Sequence, residues 1–277
     1  MAAFAVSPEA QLRQTHFRQR LVEVWGIPAG SRILEIGCGQ GDTTAVLAHA
    51  VGPGGSVLAT DVADPEYGAP ISLGDSAAFL KVTPLGKRVE FRFRCDLLDP
   101  TVRFPDDSFD AVVLAHCSWY FPSVQTLSHL LKRIRLWTPR LLLSEWDLEP
   151  RSASQTAHML AVLLQGQAAA FDADTLANVR TPLSKARLKQ ILEQTGWRIG
   201  AESTVDSTGL DDGAWEIATA LDTDLDIFPA VLREIAENQR EVLRGLSSEP
   251  TLSLSSYALD AHRLPALHDE GDILREV

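Results

Sequence analysis

Apolar positions along the chain follow two rhythms. Some form short, nearly continuous runs; others recur every three or four residues over longer stretches. Runs at 32–36, 56–60, 109–115 and 139–144 are too uniformly apolar to face water on one side, and they predict buried strands. In 88–94, Val89, Phe91 and Phe93 alternate with polar and charged residues, the pattern of a strand nearer a sheet edge. Helical spacing fills the intervals, at 43–51, in a segment that includes 76–81, and at 123–137. A helix over 8–25 precedes them all, with Ser7 as N-cap, Pro8 in its first turn and a Gly26 to Gly30 stop. Its loose apolar stripe is Leu12, Phe17, Leu21 and Val24. This alternation implies right-handed crossovers and a parallel sheet covered on both faces.

Beyond residue 150 the alternation loosens. An Ala-rich helix is predicted at 155–170, a second at 183–195 stopped by Gly196, and a strand at 197–205. One or two helices follow at 211–245, then a last strand at 251–259. The helical stretches 152–180 and 209–248 are long for connections. Such insertions in α/β proteins often lie over the active site. The organisation expected is a helical cap over 1–30 and a core over 31–277 carrying those two insertions.

The richest chemistry lies in Ile33-Leu34-Glu35-Ile36-Gly37-Cys38-Gly39-Gln40-Gly41-Asp42-Thr43, a strand, a glycine turn and a helix start. Glycines let backbone approach a ligand and adopt positive φ, and the helix start offers free amides at a positive dipole end. A dinucleotide fingerprint wants glycine at its first, third and sixth positions. Here these are Gly37, Gly39 and Asp42, so the last requirement fails. No Gly-Lys-Ser/Thr follows to make a phosphate-binding loop of the Walker type.

Glu35-Ile36-Gly37-Cys38-Gly39-Gln40-Gly41 resembles the first motif of the class I S-adenosylmethionine-dependent methyltransferases. The resemblance runs from about Arg32 to His262. It implies a Rossmann-like, doubly wound α/β fold: a seven-stranded, mostly parallel sheet with a last antiparallel strand, plus helical cap insertions. It also implies S-adenosylmethionine as cofactor and S-adenosylhomocysteine as product. Cofactor contacts then fall to Glu35, Gly37, Cys38, Gly39, Gly41 and Thr43. Asp61, ending the second strand, matches the acid that binds the ribose hydroxyls, with Val62 beside it. Asp96 matches the acid that meets the adenine amino group, flanked by Cys95 and Leu97. A dehydrogenase also wants an acid at the position of Asp61, and the alternative role for Asp96 is a turn residue or helix N-cap.

After the fourth strand comes Ala115-His116-Cys117-Ser118-Trp119-Tyr120, the segment the resemblance places near the transferable methyl group. It lacks the Asn/Asp-Pro-Pro-aromatic tetrad of the amino-directed nucleic-acid enzymes. Ser144-Glu145-Trp146 resembles the acidic loop of protein arginine methyltransferases only locally, since it follows the fifth strand and not the fourth. His116, which lies near the methionine end of the cofactor in this reading, is the first candidate for a general base, because its ordinary pKa suits the task. Tyr120 and Glu145 follow it. Trp119, Tyr120 and Trp146 are expected to line the acceptor pocket, Met159 and Trp215 to sit in core, with Phe171 also available to the pocket. Cys38, Cys95 and Cys117 read as small wall residues. The first helix offers Gln11, Gln14, His16, Arg18 and Arg20, one of which is a candidate partner for the cofactor carboxylate.

Composition narrows the picture further. The 277 residues are 45% hydrophobic and 22% charged, an ordinary soluble composition. A net charge of -12 and the missing tetrad argue against a nucleic-acid partner. Three cysteines without close pairing suggest a reducing, cytoplasmic setting. The start lacks the features of a secretory signal, and 109–121 is too short to span a bilayer, so no membrane is expected. No metal is expected. The activity expected is O- or N-methylation of a small organic acceptor by in-line displacement. Competing readings are an S-adenosylmethionine-binding protein with other chemistry or a regulatory role, a protein methyltransferase, and a NAD(P)-dependent oxidoreductase. A swapped helical insertion offers a route to a homodimer.

Overall fold

The computed structural model describes residues 7–172, 175 and 177–265. In chain order the elements are α1 (Pro8–Trp25), β1 (Arg32–Ile36), α2 (Asp42–Ala50), β2 (Ser56–Thr60), α3 (Leu73–Lys81), β3 (Val89–Arg92), β4 (Ala111–Ala115), α4 (Val124–Ile134) and β5 (Arg140–Trp146). They continue with α5 (Thr156–Ala169), α6 (Lys185–Gln194), β6 (Trp197–Val205), α7 (Asp212–Asp222), α8 (Ala230–Leu246) and β7 (Ser256–Arg263).

The strands form one sheet in the order β3-β2-β1-β4-β5-β7-β6. Neighbours from β3 to β5 run parallel, and β7 runs antiparallel to both β5 and β6. The fold is the Rossmann-like, doubly wound α/β arrangement expected. Its uniformly apolar runs are central strands: Ile33, Leu34, Val112, Val113, Leu114, Leu141, Leu142 and Leu143 are fully buried. The alternating run at β3 is an edge strand, as its pattern foretold. Strand order reverses between β1 and β4, which opens a crevice at the carboxyl ends of these strands, where α/β folds bind ligands.

The helices obey the same logic of burial. α1 begins with Ser7 accepting a hydrogen bond from the Ala10 N–H, and it ends at Gly26 with φ +56°. Its inward stripe of Phe17, Leu21, Val22 and Trp25 joins the main core. A second, smaller core forms where α5, α7 and α8 pack through Ala161, Leu164, Ile217, Phe228 and Leu243. The stretch predicted as one or two helices is two, with Pro229 immediately before α8.

Two boundaries differ from expectation. The last strand starts at Ser256 and not at 251. Leu252 and Leu254 imitate strand alternation, but backbone groups at 253–255 bond elsewhere. Ser253 O accepts from Gln155 Nε2, Leu254 N–H donates to His158 Nδ1, and Ser255 O accepts from Asp147 N–H. Ser144-Glu145-Trp146 lies inside β5 and does not follow it, because it continues the ladder opposite Ala258, Tyr257 and Ser256.

Candidate cofactor and acceptor site

The glycine turn joins β1 to α2 at the crevice. Gly37, with φ +70°, sends its N–H to Thr60 O at 2.9 Å, and Cys38 N–H reaches the same carbonyl at 3.0 Å. A Cβ on Gly37 would stand 3.0 Å from Cys117 Cβ, so the turn packs directly on the segment after β4. Gly39 has φ +51° and donates to Asp61 Oδ2 at 2.9 Å. A Cβ there would meet nothing within 4 Å, which leaves open space above the turn. No side chain caps α2, whose N-cap is Gly41, so its dipole end faces that space.

Asp61 is held by a second bond, from Ala63 N–H to Oδ1 at 2.9 Å. Each carboxylate oxygen keeps a further lone pair, enough for two hydroxyl donors. Val62 beside it is 69% exposed. Cys95 N–H donates to Asp61 O at 2.9 Å and so brings the ends of β2 and β3 together. Asp96 spends Oδ1 on Leu98 N–H at 2.8 Å, the turn role open to it from sequence, and keeps Oδ2 free. Leu97 is buried and Cys95 half-buried. An open cradle over Gly39, an acid for hydroxyls, a free acceptor at Asp96 and apolar walls fit a nucleoside with a polar tail.

Beneath the turn, Glu35 is buried and accepts from Thr44 Oγ1 at 2.5 Å, tying β1 to α2. Burial pushes its carboxyl up to about 8, with the Thr44 bond and the Arg18 charge pulling the other way. Thr43 is buried in the first turn of α2. Cys38 and Cys117 are buried thiols, and burial pushes both well up.

At the end of β4, His116 adopts φ +53° and lies between Trp146 (ring centroids 4.7 Å) and Phe17 of α1 (5.4 Å). Its Nε2 is 2.9 Å from Ser256 Oγ, and Ser256 Oγ–H donates to Glu145 O at 3.3 Å. Ser256 Oγ therefore accepts from His116 Nε2–H, and His116 Nδ1 accepts from Ser144 Oγ at 3.3 Å. Both ring nitrogens are committed inward. Burial, and then the Arg18 charge, hold the imidazole down at about 3. Glu145 accepts from Ser118 N–H (3.0 Å), Ser118 Oγ–H (2.7 Å) and Trp146 N–H (3.0 Å), which pins the segment after β4. Burial pushes Glu145 up to about 7, against those bonds.

The aromatic residues divide differently from expectation. Trp119 stands in the core, 1% exposed, with Nε1–H donating to Leu183 O, because its flat ring fills the space beneath the 180–183 segment. Trp146 is also buried, stacked on Phe17 at 6.2 Å and against His116. Tyr120 is 42% exposed, and its hydroxyl has no hydrogen-bond partner among the described residues. Met159 packs partly buried against the main core, whereas Trp215, expected in core, is 52% exposed. Phe171 is also exposed, with its edge on Phe228.

α1 and α7 roof the crevice together. Gln11 Nε2 donates to Asp42 Oδ1 at 2.6 Å, Arg13 pairs with Asp211 at 2.6 Å, and Gln14 Nε2 donates to Asp212 Oδ2 at 2.5 Å. Arg18 bonds only to Gln14 of its own helix, and among the described residues it makes no ion pair. Sequence reasoning did not anticipate that Gln165 of α5 bonds Glu216 and that Gln14 of α1 bonds Asp212. The signal was there: Asp212 and Glu216 are four apart on α7, on the face that carries Gly213, Ile217 and Ala220.

A methyltransferase-domain family model matches residues 9–202. The chain is 36% identical, with a TM-score of 0.85 over 93% of both chains, to a cyclopropane-fatty-acyl-phospholipid synthase-like protein from Lactobacillus casei. It is 27% identical over 214 residues to methyltransferase phomM' of Diaporthe leptostromiformis, and 33% identical over 141 residues to nocamycin O-methyltransferase of Saccharothrix syringae. These matches cover 64% and 48% of this chain, and the chain spans about half the length of the two curated relatives (55% and 47%). The chain belongs to the class I S-adenosylmethionine-dependent methyltransferase family.

Among the described residues this methyltransferase chain gathers no cluster of His, Cys, Asp or Glu able to hold a metal, and no helix is long and apolar enough to cross a membrane. Its buried acids give its stability an unusual pH dependence. Glu35 and Glu145 keep their protons in the folded state up to about 8 and about 7, whereas unfolded carboxylic acids ionise near 4.5. Folding thus retains protons across that interval, and stability falls as pH rises through it. His116 and His158 act oppositely. Burial holds them neutral down to about 3 and about 4, so folding excludes protons below about 6.5. The opposing slopes cancel below about pH 6.5, and only the acids act above it. Thermal melts should show Tm falling from about pH 6.5 to 8.5, and Glu35→Gln should flatten that decline. An unchanged slope in Glu35→Gln would contradict the assignment.

Proposed function

We propose that the chain transfers a methyl group from S-adenosylmethionine to a small organic acceptor held beneath α1, α5 and α7. The observation that carries this reading is the open cradle at Gly39, with Asp61 on one side and the α1–α7 roof above. Bound S-adenosylmethionine supplies a methyl group activated by a sulfonium. Asp61 accepts from the ribose hydroxyls, Asp96 Oδ2 from the adenine amino group, and Val62 and Leu97 flank the ring. Gly37, Gly39 and Gly41 let the backbone approach closely. The roof excludes water and fixes the acceptor near the methyl end, where orientation in line with the reacting carbon supplies much of the acceleration.

Among the three base candidates, His116 has both nitrogens engaged and serves as a neutral wall with Trp146. Glu145 holds the segment that carries Tyr120. Tyr120 has the free hydroxyl. Burial and neighbouring acids push its phenol up, so it stays protonated and orients the acceptor by donating a hydrogen bond. The bonds that tie α1 to Asp211 and Asp212 favour a small acceptor over a protein side chain, which needs an open groove. The three unpaired cysteines fit a reducing, cytoplasmic compartment.

We assign Arg18 of α1 to the carboxylate of the methionine moiety, because its charge makes no ion pair among the described residues and acts on Glu35 and His116 beside the glycine turn. Arg18→Met should weaken S-adenosylhomocysteine binding about tenfold or more, the worth of one charged hydrogen bond. Adenosine, which lacks the carboxylate, should bind both proteins equally. A parallel loss for adenosine would show that Arg18 acts only on the fold. The function itself is tested by incubating the protein with methyl-labelled S-adenosylmethionine and an acceptor panel. Labelled product together with S-adenosylhomocysteine supports transfer. An acceptor altered without gaining label would overturn it in favour of other chemistry on the same fold.

A further inference from the structure

The three roof elements converge on one buried imidazole. His158 lies in the first turn of α5 and is fully buried. Its ring stands edge-on to Trp146, with centroids 5.5 Å apart, and Trp146 stacks on Phe17 of α1. A Cβ on Gly213 of α7 would stand 3.2 Å from His158 Nδ1, so α7 packs directly on the ring. Leu254 N–H donates to that Nδ1 at 2.9 Å, which leaves the ring proton on Nε2. Burial holds the imidazole down at about 4, so His158 is a neutral ring with one N–H to give. That Nε2–H is sealed from solvent and has no partner among the described residues. A buried donor left so is costly unless a ligand supplies the missing acceptor. Trp146 Nε1–H beside it is also bonded to no described residue. His116, the next ring, has both nitrogens engaged by Ser144 and Ser256, so it offers no acceptor atom.

We infer that the acceptor presents an oxygen, of carboxylate, enolate or carbonyl type, to His158 Nε2–H, with Trp146 Nε1–H as the second donor. This rests on the methyltransferase reading, and it names the class of acceptor. Two N–H donors among aromatic rings select an oxygen and reject a protonated amine, which would bring donors to donors. Phe17, His116 and His158 already pack around the Trp146 ring, so a cation finds little free ring face there. Side-chain bonds latch the roof over these rings, Gln14 to Asp212 and Arg13 to Asp211, and these part to admit the ligand.

The test is calorimetry on the full chain, first with S-adenosylhomocysteine. The loaded protein is then titrated with benzoate, acetophenone, benzylamine and fluorobenzene, which share a ring and differ in the group they present. Benzoate or acetophenone should bind at least about tenfold tighter than benzylamine and fluorobenzene, the worth of one strong hydrogen bond. The tighter of the two oxygen probes says whether the oxygen is charged or neutral. His158→Asn keeps an acceptor for Leu254 N–H and removes the Nε2 donor. It should weaken the oxygen probe about tenfold and leave fluorobenzene unchanged. Trp146→Phe, which keeps a ring, should lower the same preference. Trp215→Phe, on an exposed part of α7, should keep it. Equal or tighter binding of benzylamine or fluorobenzene, no binding of either oxygen probe, or a parallel loss of every probe in His158→Asn would overturn the inference. So would a preference that survives in both variants. S-adenosylhomocysteine binding without oxygen preference sinks this inference alone. Absence of S-adenosylhomocysteine binding sinks the methyltransferase reading beneath it.

Discussion

Gly39→Val is expected to leave a folded protein that no longer binds S-adenosylmethionine or S-adenosylhomocysteine. The substitution places a branched side chain at φ +51°, a left-handed conformation that costs about 1–2 kcal/mol outside glycine. No protein atom lies within 4 Å of the new Cβ, so the fold absorbs that cost, and Tm should fall by only a few degrees. The open space, however, is the cradle itself. Filling it should weaken cofactor binding by about 100-fold or more, since an overpacked site costs about 1–3 kcal/mol before displaced hydrogen bonds are counted. Gly37→Val is the informative contrast. Its Cβ meets Cys117 at 3.0 Å, so the damage should appear first in stability. Calorimetry with S-adenosylhomocysteine, paired with thermal melts, separates the two. Unchanged affinity in folded Gly39→Val would mean that nothing binds over the turn.

Asp61→Ala should be nearly as severe for binding and worse for the turn. The carboxylate anchors Gly39 N–H and Ala63 N–H, one on each oxygen. Removing it frees the loop that shapes the cradle and removes both acceptors for the ribose hydroxyls. Charged hydrogen bonds are worth about 1.5–3 kcal/mol each, so the loss should reach about 100-fold. Asp61→Asn should not rescue it, because an amide NH2 would face one of the two backbone N–H donors. Nearly full affinity in Asp61→Asn would place the ribose elsewhere.

Much of this fold was legible because its central strands are buried on both faces. Runs such as Val112 to Leu114 have no polar position to disguise them, and the edge strand betrayed itself through Val89 and Phe91. The glycine turn was legible because positive φ at Gly37, Gly39 and Gly41 requires the residue type. Tertiary bonds hid the rest. Leu252 and Leu254 alternate like a strand, yet Leu254 N–H goes to His158 and not to a ladder. Trp119 is buried and Trp215 exposed, because aromatic type alone does not say which side of a layer a ring occupies. The Gln165–Glu216 bond joins residues 51 apart and leaves no local mark in the sequence. His116 read as a base from its type and position, and only the two serines at Ser144 and Ser256 show its nitrogens committed.

Parallel calorimetric titration of the full chain with S-adenosylhomocysteine and NADH tests the cofactor assignment most directly. The Asp42 position, where a dinucleotide site wants glycine, and the cradle at Gly39 predict one S-adenosylhomocysteine bound per chain and no heat from NADH. Heat from NADH with none from S-adenosylhomocysteine would contradict it.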